Sequence, residues 1–168
     1  MEILVFSDSH GRCDKIEEVL SRQIKKPDAI IFLGDGLRDM INAETGEIPT
    51  YSVRGNCDTL VFTYAPDERC LELCGKRIFF THGHRFGVKS TLISLINEAA
   101  KSDADIVLYG HTHEKYEIEL ASDNEYGIKL SKPLHVMNPG SVGSYPYYFG
   151  VITIDKAGRV LISHGSLN

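Results

Sequence analysis

The sequence predicts a layered α/β fold formed by a single domain. Short apolar runs alternate with amphipathic stretches over the first two-thirds of the chain, and strand patterns dominate the last third, an order typical of layered α/β proteins. The chain has 168 residues, 42% of them hydrophobic, which is enough for one buried core and too little for two. We therefore expect one domain that spans residues 1–168.

The first predicted elements are a strand, a polar loop and a helix. The apolar run at residues 3–6 is typical of a strand buried on both faces, and it ends in the polar segment 7–11. The apolar positions of the helix recur with the 3.6-residue period, at Ile16, Val19, Leu20 and Ile24. Asp14 and Glu17 have the spacing of a helix start signal.

Further apolar runs predict a second strand at residues 29–33 and a third at 51–53. The second strand runs into Gly34-Asp35-Gly36, a sequence that is tolerated only in a turn. Residues 69–73 and 77–81 flank a Cys-Gly-Lys turn, so we expect them to form a hairpin.

The second half of the chain predicts one more helix and four more strands. The apolar positions of this helix are Leu92, Ile93, Ile96, Ala99 and Ala100. Buried strands are expected at residues 106–109 and 134–137, and a closing hairpin at 149–154 and 160–164.

Composition limits the classes of function. The formal net charge is −5 and the lysines and arginines are scattered, which argues against a nucleic-acid-binding surface. An anionic substrate would therefore need a local source of positive charge, such as bound metal ions. The first residues form neither a basic leader nor a long apolar stretch, so we expect a soluble, cytoplasmic protein with no membrane partner.

The cysteines do not predict a metal or disulfide framework. The four, Cys13, Cys57, Cys70 and Cys74, form no CxxC pair. We therefore expect four reduced thiols.

Six of the predicted strands end in a short loop that carries polar residues beside glycine. Ligands of layered α/β proteins gather outside the carboxyl ends of the strands, so these loops are expected to form one site. The candidate metal ligands on them are Asp8, His10, Asp35, Asn56, His82, His111 and His113.

The ligand types favour a pair of divalent ions. All seven offer oxygen or imidazole nitrogen, which suits Mn, Fe, Co, Ni or Zn better than a thiolate zinc site or a calcium site. One catalytic ion usually takes three or four protein ligands, so seven predict two ions, which a bridging carboxylate would hold about 3.5–4 Å apart. Residues two apart on extended backbone point different ways, so we expect His111 and His113 to serve different ions.

The motifs, in order, resemble those of the calcineurin-like metallophosphoesterase superfamily, in particular its small phosphodiesterases of the YfcE type. They are Asp8-x-His10, Gly34-Asp35, Gly55-Asn56, Thr81-His82-Gly83-His84, Gly110-His111-Thr112-His113 and Asn138-Pro139-Gly140-Ser141. The resemblance extends from the first strand to about residue 143. It implies a β-sandwich flanked by helices on both faces, and an enzyme that hydrolyses a small phosphate ester.

The resemblance also implies how the site is arranged. One ion would be held by Asp8, His10, Asp35 and His113, and the other by Asp35, Asn56, His82 and His111. Asp35 would bridge the two ions, and a hydroxide shared by them would attack phosphorus. Mn²⁺ is the first candidate, with Ni²⁺, Co²⁺, Fe²⁺ and Zn²⁺ as alternatives.

One position departs from the superfamily pattern. The block that usually reads Gly-Asn-His-Asp or Gly-Asn-His-Glu has Cys57 in place of histidine, followed by Asp58. General-acid help to the leaving group is then absent or comes from elsewhere, with Cys57 itself or His84 as candidates. The catalytic candidates are therefore Asp35, Asn56, Cys57, Asp58 and His84.

Several alternatives stay open. A retromer subunit of this fold serves as a protein-interaction scaffold and also lacks that histidine, and a phosphomonoesterase is a third candidate. Arg12 and Arg38 follow ligand motifs and are candidates for contact with substrate phosphate. For His135 and His164 we expect ordinary structural roles. The sequence leaves open whether the protein forms a homo-oligomer.

Overall fold

The computed structural model describes residues 1–58 and 65–168, and in these ranges it has ten strands, three α-helices and a 3-10 helix at His84–Phe86. The strands are β1 Glu2–Phe6, β2 Ala29–Phe32, β3 Thr50–Ser52, β4 Glu68–Leu73, β5 Lys76–Thr81, β6 Ile106–Leu108, β7 Lys115–Leu120, β8 Leu134–Pro139, β9 Tyr148–Ile154 and β10 Val160–Ser166. The α-helices are α1 Cys13–Ser21, α2 Leu37–Asn42 and α3 Ile93–Lys101.

The strands form two five-stranded sheets. The first sheet has the order β10-β9-β1-β2-β3 and the second has the order β4-β5-β6-β8-β7. Strands β1, β2 and β3 are parallel to one another, as are β5, β6 and β8. In each sheet, the carboxyl ends of three parallel strands therefore lie side by side. The loops that follow these carboxyl ends carry the motifs.

The two sheets pack face to face around a central core. On β1, Ile3 and Val5 face this core, where they pack with Ile78 and Phe80 of β5. Each fully buried side chain of this size contributes about 1.5–3 kcal/mol relative to exposure. The β-sandwich implied by the family resemblance is confirmed.

Helices cover both outer faces of the sandwich, also as expected. The alternate β1 residues Leu4 and Phe6 pack outward against Ile16 and Val19 of α1, so β1 is buried on both faces. On the second sheet, Leu95, Ile96 and Ala99 of α3 pack against the outer face, whereas the predicted apolar position Ile93 is exposed. No helix in the described part of the chain is long and apolar enough to span a membrane.

The first helix differs from its prediction at both ends. It ends at Ser21, and Ile24 is fully exposed beyond it, because the apolar period continues past the residues that can reach the sheet. The start signal at Asp14 and Glu17 was also wrong. Arg12 occupies the cap position without a capping side chain, and Asp14 instead pairs with the Arg12 guanidinium.

Two elements were not predicted. Helix α2 is six residues long and buries only Leu37, Asp39 and Met40, which is too short for a helical period to stand out in sequence. Strand β7 alternates exposed charged residues with partly buried ones, and this two-residue period in Lys115–Leu120 was a usable signal. The predicted hairpins of β4 with β5 and β9 with β10 are both confirmed.

Candidate metal centre

The seven candidate ligands converge at the edge where the parallel strands of both sheets end. They divide into two groups of neighbouring side chains. The outer cluster is Asp8, His10 and His113, and the inner cluster is Asp35, His82 and His111, with the possible ligand atoms of each within 4.8 Å of one another. Loops far apart in sequence thus form one site, as the strand-end pattern predicts.

The outer cluster is open to solvent on one side. The His113 Nε2 atom lies 3.1 Å from Asp8 Oδ1, and His10 Nε2 lies 3.8 Å from the same oxygen. The two imidazole nitrogens are 3.3 Å apart. Asp8 is fully buried, whereas His10 and His113 are exposed.

The inner cluster lies deeper. His82 is fully buried, and its Nε2 atom lies 3.4 Å from Asp35 Oδ2 and 3.2 Å from Asn56 Oδ1. The rings of His82 and His111 are 5.0 Å apart between centroids. Asn56, the remaining candidate ligand, therefore belongs beside the inner cluster.

Asp35 lies between the two clusters. Its carboxylate groups with His82 and His111 on one side and with His10 and Cys57 on the other, in each case within 4.8 Å between possible ligand atoms. His82 Nε2 is also 4.0 Å from Asp8 Oδ1 of the outer cluster. This is the position that a bridging carboxylate requires.

Unusual backbone conformations occur at the candidate ligands. Five of the seven have positive φ: Asp8, His10, Asp35, His111 and His113, at 56°, 44°, 56°, 68° and 63°. Such residues cost about 1–3 kcal/mol each and persist only where the surroundings enforce them. The extended backbone expected here was therefore wrong, although His111 and His113 do fall in different clusters.

Glycines let the ligand loops approach one another closely. A Cβ atom at Gly55 would lie 2.0 Å from Asp35 Oδ1, and one at Gly110 would lie 1.9 Å from Ser7 Oγ. Contacts this short are impossible for any other residue, so these two glycines are required beside the ligands.

Asp58 holds two loops together through its carboxylate, its own and the one that carries Asp35. It accepts backbone hydrogen bonds from Asp35, Gly36, Leu37 and Gly55, with N···O distances of 2.7–2.9 Å. A carboxylate with four donors has no remaining role in orienting a neighbouring side chain. The expected catalytic role of Asp58 becomes one of positioning the loops that carry Asp35 and Asn56.

The residues fit a pair of metal ions. Asp8 Oδ2 accepts hydrogen bonds from Ser7 Oγ and from the backbone of His111, whereas the buried Oδ1 has no hydrogen-bond donor in the described residues. A buried carboxylate oxygen without a donor is costly unless a cation occupies its lone pair. This oxygen faces His10 and His113, so a cation bound there would complete its coordination.

The tautomer of His82 also fits metal binding. Its Nδ1 atom lies 2.8 Å from the carbonyl oxygen of Leu33 and must carry a proton to donate to it. Nε2 is therefore the atom available to a metal. In the metal-free protein, burial would lower the pKa of His82, but the carboxylates of Asp35 and Asp8 outweigh burial and raise it.

Asp35 shows the complementary effect. Burial would raise the pKa of its carboxyl group, but the hydrogen bond from His82 and the backbone N–H of Cys57 outweigh burial and lower it. Without metal, the two groups form an ion pair at pH values below the raised pKa of His82. A divalent ion would have to displace the proton on His82 Nε2.

The leaving-group candidates lie beside the inner cluster. Cys57 is exposed, and the hydrogen bond to Asp35, with a smaller contribution from partial desolvation, raises the thiol pKa to about 11. The His84 ring lies 5.4 Å from that of His82, and its buried Nδ1 has no partner in the described residues. Burial lowers the pKa of His84. All four cysteines are free thiols, as expected.

Sequence reasoning missed several residues that support the ligands. Asp39 accepts hydrogen bonds from Ser9 Oγ and Gly11 N, and Ser141 Oγ donates to the Asp8 carbonyl. Asn138 Nδ2 donates to the Gly110 carbonyl and to Thr112 Oγ1. The Asn-Pro-Gly-Ser motif was a signal for the last two, whereas nothing in the sequence marked Asp39.

Two solvent-filled pockets adjoin the centre. One, of about 340 Å³, includes His10, Asp35, Cys57 and Arg38. The other, of about 640 Å³, begins at Thr112, between the candidate ligands His111 and His113, and continues along Lys89 and Tyr116. Arg12 is less available than the sequence suggests, because its guanidinium pairs with Asp14.

Comparison with known proteins identifies a family. Residues 1–157 match the model of the calcineurin-like phosphoesterase superfamily domain. The chain is 30% identical to the probable metallophosphoesterase YsnB of Bacillus subtilis, over 84% of this chain and 75% of that protein. It is 26% identical to the phosphodiesterase YfcE of Escherichia coli, over 99% of this chain and 95% of that protein.

Solved structures share the fold. A predicted phosphoesterase from Streptococcus pneumoniae has a TM-score of 0.73 and 28% identity, and covers 98% of this chain and 97% of its own. Vps29 of Entamoeba histolytica, solved with zinc, has a TM-score of 0.70 at 18% identity, with all of both chains covered. At that identity Vps29 shows likeness of fold alone.

Proposed function

The chain belongs to the calcineurin-like phosphoesterase superfamily, and from that premise we propose that it is a phosphodiesterase that depends on two divalent metal ions. The observation that carries this proposal is the position of Asp35 between two clusters of oxygen and imidazole ligands. The diester preference rests on the relative named as a phosphodiesterase, which matches nearly the whole chain.

Each cluster has the ligands for one ion. Asp8, His10 and His113 would hold the outer ion, and His82, His111 and Asn56 the inner one, with Asp35 shared between them. When bound, the two ions would supply a hydroxide nucleophile and stabilise charge on the phosphoryl oxygens. Mn²⁺ is our first candidate. Fe²⁺, Co²⁺, Ni²⁺ and Zn²⁺ are alternatives, because mixed nitrogen and oxygen ligands suit all five ions and metal availability decides among them.

The chain's own residues would orient the ester and hold its surroundings in place. Asp58 and Asp39 fix the loops, so that the ligands need little rearrangement when an ion or substrate enters. In the protein without metal, the hydrogen bond to Asp35 raises the pKa of the Cys57 thiol to about 11, so this thiol is a weak acid. A weak acid of this kind gives little help to a poor leaving group, so we propose that aryl esters react faster than alkyl esters.

The test is hydrolysis of bis(4-nitrophenyl) phosphate by protein supplied separately with Mn²⁺, Ni²⁺, Co²⁺ and Zn²⁺, with bound metal counted by elemental analysis. We expect turnover that requires metal and disappears with a chelator. His135→Gln is the matched control for variants of the site histidines, because His135 lies on β8 outside both clusters. Comparing 4-nitrophenyl phosphate with the diester separates monoesterase from diesterase activity.

The second candidate is a protein-interaction scaffold, as a retromer subunit of this fold is. The feature that favours the scaffold is Cys57, because the superfamily histidine that would lie beside Asp35 is absent at this position. Against it, a binding module has no need for the exposed pair His10 and His113 beside a buried Asp8. Protein that binds two ions and hydrolyses neither ester with any of the four metals would support the scaffold and refute the enzyme.

A further inference from the structure

The pocket next to the outer cluster has an unusual distribution of charge. It occupies about 340 Å³ and opens between His10 and Cys57, with Arg38 of α2 at its wall. Arg38 is the only lysine or arginine among the residues that line it. Its side chain is exposed to solvent.

The carboxylates of this pocket already have donors. Asp39 Oδ2 accepts from Ser9 Oγ at 2.5 Å and from Gly11 N at 2.8 Å. The Asp58 carboxylate is occupied by four backbone N–H groups. No carboxylate oxygen of the described residues lies within 4.0 Å of the Arg38 guanidinium, so Arg38 forms no ion pair with Asp35, Asp39 or Asp58 of its own pocket.

Other arginines near the centre differ in this respect. Arg12 forms two hydrogen bonds with Asp14, both at 2.9 Å. Arg54 binds Asp67 at 2.6 Å, and Arg85 pairs with the same carboxylate. Arg38 is thus the guanidinium at this edge that keeps its donors free for a ligand.

We propose that Arg38 and the pocket beside it form an oxyanion site that binds the phosphoryl oxygens of a phosphate ester and of its phosphate product. A guanidinium presents paired N–H donors that match two phosphate oxygens. Arg38 supplies the fixed positive charge of this wall, because no other lysine or arginine is among the described residues that line it. The identity of the ester rests on the proposed function. The affinity of the pocket for phosphate does not.

This site has a consequence for ligand preference. A diester carries one negative charge and a monoester product carries up to two, so a free guanidinium favours the product more than the substrate. Arg38 therefore sets how strongly phosphate and phosphate monoesters compete with the diester.

The experiment measures binding of inorganic phosphate to Mn²⁺-loaded protein by calorimetry, together with inhibition of bis(4-nitrophenyl) phosphate hydrolysis by phosphate. Arg38→Ala is expected to weaken phosphate binding about 10- to 100-fold, the range for loss of a hydrogen bond to a charged group, and Arg38→Lys less. Arg77→Ala is the matched control, since Arg77 is also exposed and lies on β5 at the opposite end from the site. Metal content should stay unchanged in all three variants.

Two results would overturn the proposal. Phosphate affinity that is the same in Arg38→Ala and the parent protein, with metal content intact, would show that the guanidinium does not bind oxyanions. Loss of metal together with phosphate would assign Arg38 to support of the loops instead. If no ester is hydrolysed but phosphate binding still depends on Arg38, the oxyanion site stands and the proposed enzyme does not.

Discussion

The two ligand clusters contain the same chemistry in different surroundings. In the inner cluster, Asp35 and His82 are buried, and the Leu33 carbonyl fixes the orientation of the His82 ring. In the outer cluster only Asp8 is buried, and the exposed rings of His10 and His113 contact each other. The ring orientations of the inner cluster are therefore more firmly fixed than those of the exposed outer histidines.

This difference predicts unequal affinities. A ligand whose ring orientation is fixed loses less freedom on binding. A hydrogen bond that holds a ligating histidine, such as the one from His82 to the Leu33 carbonyl, is worth roughly 10- to 100-fold in metal affinity. We expect the inner ion to bind first and the outer ion to exchange with solution. The site would then gain activity only at the metal concentration that fills the outer cluster.

The largest effect is expected from the residue that both clusters share. Asp35→Asn keeps the size of the side chain but removes the charge between the two ions, so both ions should be lost. Diesterase activity should fall by more than the roughly 100-fold expected for loss of a hydrogen bond that only orients a metal ligand. Elemental analysis and turnover of bis(4-nitrophenyl) phosphate measure this. If Asp35→Asn keeps two ions per chain, Asp35 is not shared between them.

A pair of matched substitutions tests the inequality directly. His10→Gln should lose the outer ion and keep the inner one, whereas His82→Gln should lose the inner ion and, with it, a buried contact of Asp35. At a fixed, low Mn²⁺ concentration we therefore expect about one ion per chain in His10→Gln and less in His82→Gln. Equal metal loss in the two variants would remove the distinction between the clusters.

A substitution at residue 57 tests which group donates a proton to the leaving group. Cys57→His places an imidazole beside Asp35 and should raise the rate on an alkyl diester by about tenfold or more, with a smaller gain on the aryl diester, because only the poor leaving group needs a proton. The measurement is the ratio of the two rates in variant and parent. An unchanged ratio would show that His84 or solvent already supplies the proton.

The smallest expected effect concerns pH and the inner cluster. The pKa of His82 in the metal-free protein is raised above 6.5 by Asp35 and Asp8. Protonated His82 therefore stabilises the metal-free fold below that pH, and this stabilisation is lost as the pH rises through the raised pKa. Metal competes with the same proton, so inner-ion affinity should increase by up to about tenfold per pH unit as the pH rises toward the raised pKa of His82, and level off above it.

Competition with a chromophoric chelator in His10→Gln, where the outer cluster is incomplete, measures this slope for the inner ion alone. Affinity that does not change over the range would mean that His82 gives up no proton to the metal.

The fold was predictable where hydrophobic patterns are long. Strands such as β1 and β5 are continuous apolar runs, and the loops that follow them carry the ligands, so the site could be placed at one edge from sequence alone. Helix α2 and strand β7 were missed because one is short and the other is an edge strand dominated by charged residues. The helix start at Asp14 was wrong because its carboxylate pairs with Arg12 instead of capping the backbone.

The candidate site was predictable in composition but not in detail. The seven side chains do gather in two clusters, because they follow strands that end together. The left-handed backbone at Asp8 and His111 could not be foreseen, since non-glycine residues adopt it only when tertiary contacts enforce it. The support given by Asp39 and Asp58 was equally hidden, because carboxylates that accept backbone N–H bonds look like any other acids in a sequence.

The backbone hydrogen bonds accepted by Asp58 hold the ligand loops, and this leaves the amino acid at residue 57 open to change. Four main-chain groups from two loops are anchored on this one carboxylate. Residue 57 contributes its own N–H, donated to Asp35, and its sulfur, which accepts a hydrogen bond from Asn56 Nδ2. Every amino acid except proline keeps that N–H. A proton donor of different strength at residue 57 would therefore keep the bond to Asp35 and replace only the contact with Asn56, so we expect a single substitution to change the preferred ester.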